Sequence, residues 1–163
     1  MIAPDSVESW SVRKAARPLI GFSWTSEKLP LPNFSGNDAC DCRLHVKNEA
    51  QKLLVPGTIM AEYHKQVGAL MEEQLVGLGL ISMEDIKTQN PDWPAYKKYF
   101  MHGTSHFLGL DTHDVGIWHE PISAGMVFTC EPGIYIPEEG LGIRLEDDLV
   151  VQGSGAPFNL MGD

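Results

Sequence analysis

Basic residues are scarce in this chain of 163 residues: 12 Lys and Arg stand against 22 Asp and Glu, a formal net charge of −10. Phosphate binding needs clustered cations, so nucleic acid is excluded as the main partner. The acidity does not by itself argue for a metal site, because acidic surfaces also serve solubility. No run approaches the about 18–20 apolar residues that span a bilayer, which excludes a membrane-spanning helix and a membrane partner. The first residues, Met1 to Ser6, lack a basic start followed by an apolar stretch. No signal peptide is therefore expected, and the cytoplasm is the expected location. Cysteine is rare and odd in number, three in all, which argues against a disulfide framework. Cys40 and Cys42 form a C-x-C without a second pair and read as free thiols.

What remains is the composition of a globular domain with a real core, 43% hydrophobic and 21% charged. Residues 1–40 form an atypical leader, rich in Pro and Gly, without sustained periodicity; Leu19–Trp24 could form a short strand. From Asp41 the pattern changes. Leu44, Val46, Ala50, Leu53 and Leu54 suit a helix ending before Pro56-Gly57. Thr58 is the expected N-cap of a second helix. Along it Tyr63, Val67, Leu70, Met71, Leu75 and Leu78 form one apolar face, and Gly79 stands where a C-terminal cap belongs. Ser82 and Asp85 spell a capping box for a short third helix. Asn90–Pro94 reads as a loop. Strands are expected over Met126–Cys130, Ile134–Ile136 and Ile143–Val151, with Glu138-Glu139-Gly140 as a hairpin turn. Helices followed by an antiparallel sheet make the fold class α+β. The second helix should lay its Tyr63, Val67, Leu70 and Leu75 face on that sheet.

The chemistry concentrates after Met101. His102, His106 and His113 fall within a dozen residues, followed by Glu131 inside an apolar run and by Glu146 in Arg144-Leu-Glu-Asp-Asp148. Imidazole and carboxylate donors on separate apolar segments suit a fairly hard divalent ion. A buried Glu131 is too costly unless paired, protonated or metal-bound. Strand alternation puts Arg144, Glu146 and Asp148 on one face, so Arg144 and Glu146 should meet. The isolated His45, His64 and His119 read as structural.

Three stretches, His102-Gly-Thr-Ser-His-Phe-Leu-Gly-Leu-Asp-Thr-His-Asp-Val-Gly116, Glu131-Pro-Gly-Ile-Tyr135 and Gly142-Ile-Arg-Leu-Glu-Asp-Asp148, closely resemble the Xaa-Pro aminopeptidases (aminopeptidase P). These belong to the pita-bread metallopeptidases, with prolidase, creatinase and methionine aminopeptidase. Leu54-Val-Pro-Gly-Thr58 and the run from Asn90 to His102 also look like this branch. The resemblance spans residues 41–163 and implies the C-terminal part of a pita-bread catalytic domain. It implies release of an N-terminal residue preceding proline, by attack of a metal-activated hydroxide. It implies metal ligands at His106, Glu131 and Glu146, and substrate-contacting or proton-handling roles for His102 and His113. Tyr135 would line the substrate site, Arg144 would stand beside the second Glu ligand, and Glu131 would also transfer a proton. The metal implied is manganese, two ions in the family, and the partner is a peptide with proline at its second position. Prolidase activity on X-Pro dipeptides and a non-catalytic, protein-binding remnant of the fold are the alternatives.

The family's two further ligands are aspartates in a stretch resembling D-x-G-x…D-x-T-R. Asp5, Asp38 and Asp41 lack that context, so the N-terminal strands of the catalytic domain read as missing or replaced. Three donors for a site built from five predict at most one bound ion and little activity from this chain alone. An uncovered sheet edge predicts poor solubility or pairing with another chain, a second copy included.

Overall fold

The computed structural model describes residues 35–162. The expected strand over Leu19–Trp24 and the residue Asp5 lie outside them. Helix α1 spans Gly36–Leu53 and starts about a turn before Asp41, because Ser35 and Asp38 close a capping box. The Ser35 hydroxyl accepts from the Asp38 N–H at 3.3 Å, and the Asp38 carboxylate accepts from the Ser35 N–H at 2.6 Å. Asp38 is thus engaged in a helix cap, and Asp41 is exposed on α1. The buried stripe of α1 is Ala39, Arg43, Val46, Lys47 and Ala50, while Leu44, expected on that face, is exposed.

Helix α2 spans Met60–Gly77. Its N-cap is Ile59 and makes no side-chain bond. Thr58, expected in that role, donates its hydroxyl to the Leu53 carbonyl at 3.1 Å and so closes the end of α1. Gly79, with φ +70°, takes the left-handed conformation after the helix, as expected. Helix α3, Met83–Thr88, carries the Ser82–Asp85 capping box. Tyr63, Val67, Met71 and Leu75 are fully buried, but Leu70 is only half-buried. The expected docking of this face on the sheet needs correction. It packs mainly on α1 and on a 3-10 turn at Ala95–Lys98, and α1 is the helix that lies along the strands. The close approach to that turn runs through Gly68, where a Cβ would come within 2.6 Å of the Tyr96 ring.

The strands are β1 Val127–Cys130, β2 Gly133–Ile136, β3 Leu141–Arg144, β4 Asp147–Val150 and β5 Phe158–Asn159. β1, β4 and β5 form one antiparallel sheet, and β2 with β3 forms a hairpin closed by the turn Pro137–Glu139 and Gly140. The single strand expected over Ile143–Val151 is therefore two, because the chain changes hydrogen-bonding partner at Leu145-Glu146. Its alternation survives the break: Arg144 and Glu146 are exposed, and Asp147 and Leu149 are buried. On the other edge of β1 the segment 104–108 runs alongside in extended form. The Glu131 N–H donates to the Thr104 carbonyl at 2.8 Å, and the Thr129 N–H to the His106 carbonyl at 3.1 Å.

Candidate metal centre

This edge pairing is what brings the histidine segment to the carboxylates. In an extended chain, side chains alternate between faces. Phe128 and Cys130 of β1 turn into the hydrophobic core. Thr129 and the residue after the strand, Glu131, share the opposite face, where His106 joins them. His106 Nε2 lies 3.2 Å from Glu131 Oε1, with side chains 15% and 11% exposed. Ligand atoms of His106, Glu131 and Glu146 all lie within 4.8 Å of one another.

The hydrogen bonds fix what these atoms can do. His106 Nδ1 contacts the Phe107 carbonyl at 2.9 Å. A carbonyl only accepts, so Nδ1 carries a proton, and a neutral ring would then offer its lone pair at Nε2. That lone pair faces a carboxylate oxygen. Two acceptors at 3.2 Å repel unless a proton or a cation stands between them. Donors held at about 2.0–2.2 Å from one ion are spaced much like this pair. The donor set therefore fits a divalent ion in both chemistry and spacing.

Thr129 couples the same two residues. Its hydroxyl accepts from the His106 N–H at 3.1 Å and donates to Glu131 Oε1 at 3.3 Å. Arg144 reaches across to Glu131 Oε2 at 3.3 Å and to Glu146 Oε2 at 3.7 Å, so it meets Glu146 as alternation predicts. His102 Nδ1 donates to the Gly103 carbonyl at 2.8 Å, which leaves Nε2 to accept from the Tyr135 hydroxyl at 2.8 Å. Burial, the largest influence, pushes the Tyr135 hydroxyl up from its ordinary value, so it stays a donor. His113 is exposed, its ring 4.4 Å from that of His106 in an edge-on pair.

His102, His106, His113, Glu131 and Arg144 line one cleft of about 410 Å³ with Ser105, Trp118 and His64. That volume is in the range of sites for small ligands or peptide ends, about 300–1,000 Å³. His64, read as structural, also lines this cleft. Its Nδ1 accepts from the Thr104 N–H at 3.4 Å, and burial holds its pKa below the ordinary 6.5, with the Lys97 charge adding to the effect. No local motif marks it, because it reaches the cleft from α2. Thr129 also escapes motif reading, although a place two residues before Glu131 on an extended chain would put it on the same face. His45 lies by another surface groove, beside Asn48 and Pro157. Among the described residues no helix is long and apolar enough to cross a membrane.

The sequence signature of metallopeptidase family M24 matches residues 29–153. The Xaa-Pro aminopeptidase of Escherichia coli (strain K12) is 41% identical over 118 residues, 64% of this chain and 26% of that protein. Xaa-Pro aminopeptidase 3 of Homo sapiens is 38% identical over 119 residues, 66% of this chain and 23% of that protein. Among solved structures, zinc-substituted E. coli aminopeptidase P in complex with product superposes with a TM-score of 0.67 at 36% identity. The match covers 78% of this chain and 31% of that one. E. coli aminopeptidase P with the inhibitor Pro-Leu gives 0.66 at 37% identity, over 76% and 30%. The described residues are thus part of a pita-bread fold, and the chain spans about a quarter of the length of these curated relatives.

Proposed function

Because the chain belongs to metallopeptidase family M24, we propose that it carries one part of an Xaa-Pro aminopeptidase site, with His106, Glu131 and Glu146 as metal ligands. One observation carries this reading: His106 Nε2 lies 3.2 Å from a Glu131 carboxylate oxygen, with a second carboxylate, that of Glu146, within 4.8 Å of both. Mixed imidazole and carboxylate donors suit a fairly hard ion, and manganese is the ion proposed. When bound, a divalent ion supplies an acidified water and a Lewis acid for the scissile carbonyl.

The protein's own residues do the rest. Arg144 holds the carboxylates of Glu131 and Glu146 in place through its two terminal nitrogens. Glu131 accepts and returns the proton of the attacking water. Tyr135 fixes the His102 ring, and His102 and His113 contact the peptide on either side of His106. The proposed substrate is a peptide with proline second, supported by the names of the relatives and by the Pro-Leu inhibitor held by the E. coli protein. Three donors make a site for one ion. Asp38 and Asp41 sit on α1, outside the three-donor cluster, so activity of the chain by itself should be very low.

The test is elemental analysis of the purified chain with and without added Mn²⁺. One ion per chain, lost in His106→Ala, is expected. A chain that binds none in the presence of Mn²⁺ would refute the proposed centre.

A further inference from the structure

Each of the three converging donors has a buried sequence neighbour whose side chain is tied to a helix. Ser105 precedes His106, Cys130 precedes Glu131, and Asp147 follows Glu146; they are 3%, 0% and 7% exposed. All three are held from the helices. The Tyr63 hydroxyl of α2 lies 2.8 Å from Ser105 Oγ and 3.9 Å from Cys130 Sγ. The Cys130 thiol donates to the Lys47 carbonyl of α1 at 3.9 Å, and the Lys47 ammonium pairs with Asp147.

Donor counting orders this chain. Once the thiol hydrogen is committed to the Lys47 carbonyl, the sulfur can only accept from Tyr63. The Tyr63 oxygen then accepts from the Ser105 hydroxyl. The relay runs Ser105 to Tyr63 to Cys130 to Lys47, with each hydrogen used once. Burial pushes the Tyr63 hydroxyl well above its ordinary value, so it keeps its hydrogen near neutral pH. A buried, fully satisfied relay is rigid, because a broken link strands a polar group in the core.

We propose that Tyr63 is a positioning residue of the metal centre: its hydroxyl ties Ser105 to Cys130 and so sets the spacing of His106 and Glu131 across the edge of β1. The inference rests on the metal centre proposed above. Strand geometry provides the lever. Side chains one residue apart project to opposite faces, so pinning Ser105 and Cys130 from the helix side fixes where their neighbours point. Tyr63 touches neither ion nor substrate, and its effect should appear as altered ligand geometry.

The experiment titrates Co²⁺ into the full chain and follows both affinity and the visible ligand-field bands, in wild type, Tyr63→Phe, Ser105→Ala and the double variant. Near-UV circular dichroism of the metal-free proteins checks that each is folded. Outer-shell changes of this kind weaken metal binding about 10–100-fold. Tyr63→Phe and Ser105→Ala should each fall in that range and shift the bands. The double variant should lose no more than the larger single loss, since one link is broken in all three. If Tyr63→Phe does not fold, Ser105→Ala, which removes only a small hydroxyl, decides alone. Wild-type affinity and spectrum in either folded single variant would overturn the proposal while leaving the metal centre standing. Absence of Co²⁺ binding by the wild type would overturn both, and the wild-type titration shows that before any variant is made.

Discussion

Lys47 of α1 and Asp147 at the start of β4 form an ion pair whose side chains are each only 10% exposed. The same carboxylate oxygen of Asp147 accepts from Gln51 at 2.9 Å and from Asn159 at 2.8 Å. One buried charge therefore gathers α1, β4 and β5 directly behind Glu146. Such a pair is weak evidence of net stability, but removing one partner leaves a charge without its counterion. Lys47→Met should destabilise the fold by about 3–5 kcal/mol. Lys47→Met combined with Asp147→Asn should recover part of that loss. Urea unfolding of the three proteins checks this, and a double variant as unstable as the single one would show that the loss is one of packing alone.

Metal binding should separate the histidines by role. His106→Ala and Glu146→Ala each remove one of three donors and should abolish binding of Mn²⁺, read by titration calorimetry. His64→Ala removes a wall of the cleft and a weak 3.4 Å bond to Thr104, and should leave binding in place. Equal loss in all three variants would point to a shared effect on folding.

His64 also predicts a pH dependence. Its pKa in the folded protein lies below the ordinary 6.5, chiefly through burial and secondarily through Lys97. His102, His113, Glu131 and Arg144 share its cleft. A depressed value means that the unfolded chain takes up the proton first. Stability attributable to His64 is therefore complete above about pH 6.5 and is lost as pH falls through the folded value. Thermal unfolding followed from pH 7.5 down to pH 5 should show a shallower decline in His64→Ala than in the wild type. Parallel profiles would exclude His64 as a contributor.

Much of this architecture is legible in the sequence where one local cause decides the outcome. The capping box at Ser82 and Asp85, the left-handed Gly79 and the Glu138–Gly140 turn each follow from a few adjacent residues. The approach of Arg144 and Glu146 follows from strand alternation, which survives a change of sheet because the chain stays extended. What escapes is set at long range. Thr58 serves the end of α1 because the Leu53 carbonyl, five residues back at the helix end, lies within reach of its hydroxyl as well as of the Val55 N–H. Tyr63 reads as one more member of an apolar stripe, yet its hydroxyl meets residues 42 and 67 positions away in sequence. His64 reaches the cleft from α2 only through long-range packing, where its ring accepts from the Thr104 N–H, 40 positions away. The motifs point to the proposed donors, and the contacts around them belong to tertiary packing.

Activity follows from the number of donors. The three proposed ligands would hold one ion and leave open positions for water, so weak hydrolysis is compatible with the proposed site. A second ion would share the charge developing on the carbonyl oxygen. Losing even one such electrostatic contact typically costs about 10²–10³ in rate. Misplacement of the pocket by about 1 Å costs roughly another 10². The chain with Mn²⁺ should therefore cleave an Xaa-Pro peptide orders of magnitude more slowly than an ordinary peptidase. Fusion to an upstream segment carrying the family's two aspartates should raise the rate, and Glu131→Gln in that fusion should abolish the gain. Release of the N-terminal residue, followed by chromatography of the products, provides the measurement. An ordinary turnover rate from the chain alone, abolished by Glu131→Gln, would show that its own residues complete the site, and substitution of Asp5, Asp38 and Asp41 one at a time would then identify which.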